Sequence, residues 1–140
     1  VRTPGNEPAE VLESPAPLPP GPHVDTERYE VEVEPLGNAY TLTREGKFAL
    51  EIRARRGFRI HPDFPIAVSL RAPSGVGIVR TAFTRVDATA NDESAVRFEV
   101  PMAPTQAGEA NIDATVRFAI CAGEQCEPRE EQLVLAITVN

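Results

Sequence analysis

The chain has 140 residues, with 21 acidic and 14 basic side chains and a formal charge of −7, which allows one domain with a full core and excludes two. That balance argues against a nucleic-acid binder or an anionic-membrane binder, since both need clustered Lys and Arg. Apolar residues make up 41% and charged residues 25%, a composition that folds, and no apolar run approaches the roughly 20 residues that span a bilayer.

Seven of the 14 prolines fall within residues 1–22 and end in Pro17-Leu18-Pro19-Pro20-Gly21-Pro22. Proline fixes its own φ and pushes its predecessor to extended geometry, so residues 1–23 read as a Pro-rich flexible tether. Val11, Leu12 and Leu18 are too sparse there to build a core. Two readings stand: a disordered terminus, or a spacer holding the domain off a membrane anchor upstream of residue 1. Val1 is not an initiator Met and no leader pattern follows it, so a processed or trimmed chain is expected. The folded unit is expected over residues 24–140.

From Tyr29 the hydrophobic period is two. Tyr29, Val31 and Val33 alternate with Glu30, Glu32 and Glu34, giving one apolar and one charged face. Phe48, Leu50, Ile52 and Ala54 repeat the pattern, as do Ile66 to Leu70 and Val96 to Val100. Ile112 to Ile120 makes the longest run, Leu133 to Val139 closes the chain, and Ala39 to Thr43 and Val76 to Val79 are shorter candidates. Turn chemistry separates the runs at Glu45-Gly46, Ala72-Pro73-Ser74-Gly75, Asn91-Asp92 and Ala107-Gly108. With no sustained helical period, about seven to nine short strands predict an all-β, antiparallel immunoglobulin-like β-sandwich.

Cys121 and Cys126 are the chain's two cysteines. Even-numbered residues of the 112–120 run are apolar, so Cys121 shares the opposite face with Asp113, Thr115 and Arg117, and a disulfide across the core is not expected. Matching Ile112–Ile120 against Leu133–Val139 leaves residues 121–132 as the connection, about twice the usual hairpin length. Either the hairpin runs on past the sandwich or a loop stands out; both put the cysteines at one end of the domain, near solvent. Four intervening residues suit cross-strand neighbours within disulfide reach.

So small a ring restrains the unfolded chain by roughly 2 kcal/mol, against about 4.7 for a 100-residue loop, which favours local rigidity or redox use over a fold-holding staple. Glu124, Glu127, Glu130 and Glu131 surround the pair in sequence with Arg129 opposing, so raised thiol pKa values and weak nucleophiles are expected. Such a pair suits a passive role, its disulfide attacked by another protein's thiolate or its dithiol oxidised on docking. A non-catalytic immunoglobulin-like surface or lipoprotein module with a structural disulfide is the alternative.

Other chemistry has thinner support. His61, in Ile60-His61-Pro62-Asp63, reads as locally bonded or solvated. A Cu(I) site from Cys121, Cys126 and Met102 or His61 would draw on a sparse ligand set, and Asp87, Asn91, Asp92 and Glu93 match no calcium loop. Gly75-Val76-Gly77 lacks the rest of a dinucleotide loop, and Ser14, Ser69, Ser74 and Ser94 have no nucleophile-elbow context. No cofactor or resident metal is therefore expected, nor hydrolase or transferase chemistry. Arg53, Arg55, Arg56 and Arg59 form the one basic cluster, a solvated strand or a surface for an acidic partner.

Four blocks carry a family resemblance: Gly57 to Leu70 (GFRIHPDFPIAVSL), Ala72 to Val76 (APSGV), Val100 to Gly108 (VPMAPTQAG) and above all Val116 to Pro128 (VRFAICAGEQCEP). In these the chain resembles the immunoglobulin-like N-terminal domain of the bacterial thiol:disulfide interchange family DsbD. The resemblance implies a periplasmic or otherwise extracytoplasmic domain that relays reducing equivalents, and a monomer tethered to a membrane through the upstream anchor is expected. Its partners would be a membrane or thioredoxin-like reductase and disulfide-bearing proteins. It implies Cys121 and Cys126 as the redox pair, and a short loop over Val79 to Val86 whose aromatic, Phe83, caps them. Arg80 and Thr81 stand where the family's cap is acidic, and four residues rather than five separate the cysteines.

Overall fold

A computed structural model describes residues 20–37 and 39–140; apart from residues 20–23, the expected tether lies outside them. In chain order the strands are β1 (His23–Asp25), β2 (Tyr29–Leu36), β3 (Gly46–Ala54), β4 (Arg59–Ile60), β5 (Ala67–Arg71), β6 (Val76–Gly77), β7 (Ala82–Thr84), β8 (Ala90–Asn91), β9 (Ala95–Pro104), β10 (Gly108–Ala122) and β11 (Gln125–Val139). A 3-10 turn at Arg85–Asp87 follows β7. One sheet runs β1-β2-β3-β9-β6, with β8 also on β9; the other runs β11-β10-β5-β7, with β4 also on β10. The two sheets form an antiparallel immunoglobulin-like β-sandwich.

The alternating runs supply its core. Tyr29, Val31, Val33, Phe48, Leu50, Ile52, Val96, Phe98 and Val100 of the first sheet are buried against Val68, Leu70, Ile112 to Ile120 at even positions, and Leu133 to Val139 at odd positions. Phe48, Phe98 and Phe118 are among the largest wholly buried side chains, and the Tyr29 and Phe118 rings meet edge to face at 4.9 Å. Burying each such aromatic stabilises the fold by about 3 kcal/mol at most.

The charged faces point outward and neutralise themselves. Arg53 donates to Glu30 at 2.7 Å, to Glu32 at 3.0 Å and to Glu51 at 3.0 Å, and Glu30 above all holds its guanidinium more firmly protonated than usual. Arg97 spans Glu51, Glu34 and Glu99, and Arg55 pairs with Asp25. Arg53 and Arg55 of the expected basic cluster are thus paired with the domain's own carboxylates, whereas Arg59 bonds a backbone carbonyl.

The short candidates end differently. Ala39 to Thr43 makes only one parallel bridge, Tyr40 to Val139, and Val76 to Val79 shrinks to β6. Tyr40 packs so closely on Gly46 that a Cβ there would meet its ring at 2.7 Å, which gives the Glu45-Gly46 turn its glycine. The Asn91-Asp92 turn is fixed by the Asp92 carboxylate, which accepts from Ser94 N at 2.8 Å and Ala95 N at 2.9 Å; with the Ser94 hydroxyl bond, these hold its pKa below the usual carboxylate range.

Two buried phenols make the fold alkali-sensitive. Burial pushes the Tyr29 and Tyr40 hydroxyls from 10.0 up to about 12, with Glu131 adding to the effect at Tyr29. The folded state therefore favours the neutral phenol. Its contribution is complete below pH 10 and is lost as pH rises through about 12, by on the order of 2 kcal/mol per tyrosine. Urea midpoints should fall between pH 10 and 12, and Tyr29→Phe should remove about half of that fall.

Candidate functional site

The β10–β11 hairpin builds the site. Its register pairs Ile112 with Leu135 and Ala114 with Leu133, continues through Phe118 with Arg129 and Ile120 with Glu127, and ends with Ala122 opposite Gln125. The expected long loop is therefore a continued hairpin closed by Gly123 and Glu124. Gly123 has φ 60, and glycine in the left-handed region at the first central position is the type II′ pattern that matches strand twist. The Gln125–Glu130 half of β11 is exposed throughout.

In this register Cys121 stands directly opposite Cys126. Their Cα atoms are 4.0 Å apart and the sulfurs are bonded, a link between neighbouring strands of one sheet and not between sheets. The pair lies on the face away from the core, as the parity of Asp113, Thr115 and Arg117 implies. Burial differs sharply within it: Cys121 is 0% exposed whereas Cys126 is exposed. Cys121 therefore does not reach solvent as expected; only Cys126 does.

A third strand flanks Cys121. β5 covers the β10 edge at Asp113 to Arg117, and β4 takes over at Ile120 and Cys121, pairing Ile60 with Ile120 and Arg59 with Cys121. Directly paired residues project from the same face, so Arg59, Cys121 and Cys126 form one row across three strands. Arg59 Nη1 donates to Gly123 O at 2.5 Å, which carries the side chain alongside Cys121 toward the turn.

The charge environment differs from the sequence neighbourhood. Glu127 is bridged by Arg129 at 2.6 Å and Arg28 at 3.4 Å, and Arg28 also lies 5.6 Å from the Phe58 ring centroid. Arg117 meets Glu130 at 3.4 Å, and Glu131 accepts the Tyr29 hydroxyl. Arg28 and Arg59 come from distant segments, so the hairpin end carries more positive charge than Arg129 alone provides. These exposed pairs each contribute only about 0–1 kcal/mol to stability; their role is to offset the acidic run.

Phe83 is not at this site. On β7 it pairs with Val68 of β5, is 6% exposed, and its ring packs edge-on to Phe98 at 6.1 Å. Val68 in turn pairs with Val116, so Phe83 lies two strands across and five residues along from Cys121, facing the core. The expected cap is corrected to a core aromatic: strand alternation turned Phe83 inward between exposed Ala82 and Thr84, and Val79 and Val86, outside the strand, are exposed.

His61 is locally bonded, its Nδ1 accepting from Asp63 N at 3.0 Å and Phe64 N at 3.2 Å. Met102 is buried opposite Gly46, at the other end of the sandwich from Tyr29 and the hairpin tip, and so joins no sulfur cluster. Among the described residues, no group of three His, Cys, Asp or Glu is placed to hold a metal. The functional neighbours that sequence reading missed are Arg28 and Arg59; Arg59 was visible only as part of a basic cluster, with no local signal tying it to Cys121.

No family model matches the chain, and no curated protein matches it. Among solved structures it is similar to the GAE domain of GGA2p from Saccharomyces cerevisiae, with a TM-score of 0.52 and 10% identity over 84% of this chain and 96% of that one. The CARDB domain of a Pyrococcus furiosus protein, solved with di-metal ions, gives 0.48 and 14% over 91% and 95%. AggA, the major subunit of aggregative adherence fimbriae type I from Escherichia coli, gives 0.44 and 9% over 83% and 98%. At these identities the likeness concerns the fold alone.

The turn that ends the hairpin has a direct test. A Cβ on Gly123 would meet no atom within 4 Å, so any cost of substitution is conformational. Gly123→Val should lower unfolding free energy by about 1–2 kcal/mol and Gly123→Asn by clearly less, as read from urea midpoints.

Proposed function

We propose that this chain is an extracytoplasmic thiol:disulfide exchange domain. Its Cys121–Cys126 pair would relay reducing equivalents between a membrane or thioredoxin-like reductase and disulfide-bearing partners. The observation that carries the reading is the unequal burial of two bonded sulfurs at the end of a projecting hairpin. One cysteine is presented to a visitor and the other is withdrawn. The sequence blocks that resemble the DsbD family support the same reading, and a formed disulfide suits an oxidising compartment. Among the described residues no helix is long and apolar enough to cross a membrane; the reading includes a membrane anchor upstream of residue 1. The domain would act as a monomer.

Exchange would begin at Cys126. A partner thiolate attacks its sulfur, forming a mixed disulfide and breaking the Cys121–Cys126 bond, whose electron pair leaves on Cys121 as thiolate. The partner's second thiolate then attacks its own sulfur in the mixed disulfide and releases Cys126. The domain ends as a dithiol and the partner as a disulfide, two electrons having passed.

The reduction potential against glutathione should lie near those of oxidising-compartment exchange proteins, about −120 to −180 mV. A value below about −300 mV identifies a structural bond and the non-catalytic module instead. In single-thiol proteins, Cys126 (in Cys121→Ser) should react with glutathione disulfide at least about tenfold faster than Cys121 (in Cys126→Ser), because access governs the rate. Equal rates would remove Cys126 as the entry point.

A further inference from the structure

The row Arg59–Cys121–Cys126 is ordered as cation, withdrawn sulfur, presented sulfur. We propose that Arg59 is the positioning residue that makes Cys121 the leaving group, holding a positive charge beside the sulfur on which the electron pair departs. The inference rests on the exchange reading and adds the group that sets its direction and potential.

The chemistry requires such a group. When a dithiol reductant's thiolate bonds to Cys126, the broken bond leaves its electron pair on Cys121, and no proton is delivered in that step. Cys121 is 0% exposed, so water cannot solvate the new anion, and an unpaired thiolate there would be strongly disfavoured. A poorly stabilised leaving thiolate slows exchange and drives the equilibrium back to the disulfide.

The surroundings of Cys121 single out Arg59. On its own face the paired neighbours are Cys126 on β11 and Arg59 on β4. The next row holds Pro128 opposite Ala119, with His61 following Ile60 and donating its backbone N–H to Ala119 O. Glu124 sits in the turn beyond. Glu127, Arg129 and Arg28 belong to the opposite face, where they are tied to one another. Arg59 is thus the cation paired directly with Cys121, whereas Arg117 on the same face lies four residues back along β10 and meets Glu130; the Arg59 hydrogen bond to Gly123 O at 2.5 Å fixes where its guanidinium lies. Arginine stays protonated throughout the working pH range, so the charge is permanent.

Equilibration with dithiothreitol tests this without any protein partner. Arg59→Gln, which keeps a donor for Gly123 O but loses the charge, should shift the equilibrium toward the disulfide by about tenfold, or about 30 mV for two electrons. Arg59→Lys, which keeps the charge and loses the fork, should restore most of the shift. A wild-type equilibrium in Arg59→Gln, or an equal shift in both variants, would overturn the proposal, the second by assigning the effect to the hydrogen bond.

A titration of thiolate absorbance in Cys126→Ser gives an independent reading. Adding Arg59→Gln should move the Cys121 midpoint to higher pH, and an unchanged midpoint also overturns the proposal. Should the Arg59 variants not fold, the unmodified protein decides: 1 M salt should screen the charge and shift its dithiothreitol equilibrium toward the disulfide, and no shift counts against Arg59. If a thioredoxin-like reductant fails to reduce the domain while these shifts appear, the exchange reading falls and the role of Arg59 stands.

Discussion

The register between β10 and β11 is the constraint on which the candidate site depends. It is set in the body of the sandwich, where Ile112 and Ala114 must oppose Leu135 and Leu133 to bury both against the first sheet. A slip of one residue would turn every one of these side chains to water. The same register, carried outward without a break, brings Cys121 opposite Cys126 and leaves two residues to close the hairpin. Core packing thus positions the sulfurs, and Gly123, with its positive φ, lets the strands end there.

A second strand edge completes the arrangement. β10 is longer than β5, and beyond Arg117 its free edge would present unpaired backbone groups; β4 covers that stretch with only two residues. This short strand converts an exposed hairpin arm into the middle of three strands. Cys121 becomes a central-strand residue while Cys126, on β11, remains on an edge strand. The two sulfurs thus differ in strand position as well as in burial, although Thr115 and Arg117, which also lie between two strands, stay half-buried and exposed.

Much of this was legible in the sequence, for a physical reason. Long runs with one apolar face leave a period-two trace, so β2, β3, β9, β10 and β11 could be read, and parity placed Cys121 on the outer face. Two- and three-residue strands such as β4, β7 and β8 leave no such trace, because their pairing is specified by the edge they meet and not by their own pattern. Phe83 was misplaced for that reason: its inward turn on β7 depends on β5 alongside. The electrostatics misled similarly, since neighbours in sequence supplied the acids and Arg28 and Arg59 arrive through pairings across the fold.

The energetic scale of the disulfide fits a bond that can open. Its ring restrains the unfolded chain by roughly 2 kcal/mol, comparable with burying one core Leu or Ile side chain. The register it sits in does not depend on it, because the apolar matches between Ile112 and Leu135 and their neighbours lie far down the strands. Breaking the bond removes a link at the tip while the ladder, the II′ turn and the Arg59 contact to Gly123 remain to keep the two sulfurs adjacent. A bridge between the sheets would have tied redox state to folding; a bridge between neighbouring strands separates the two.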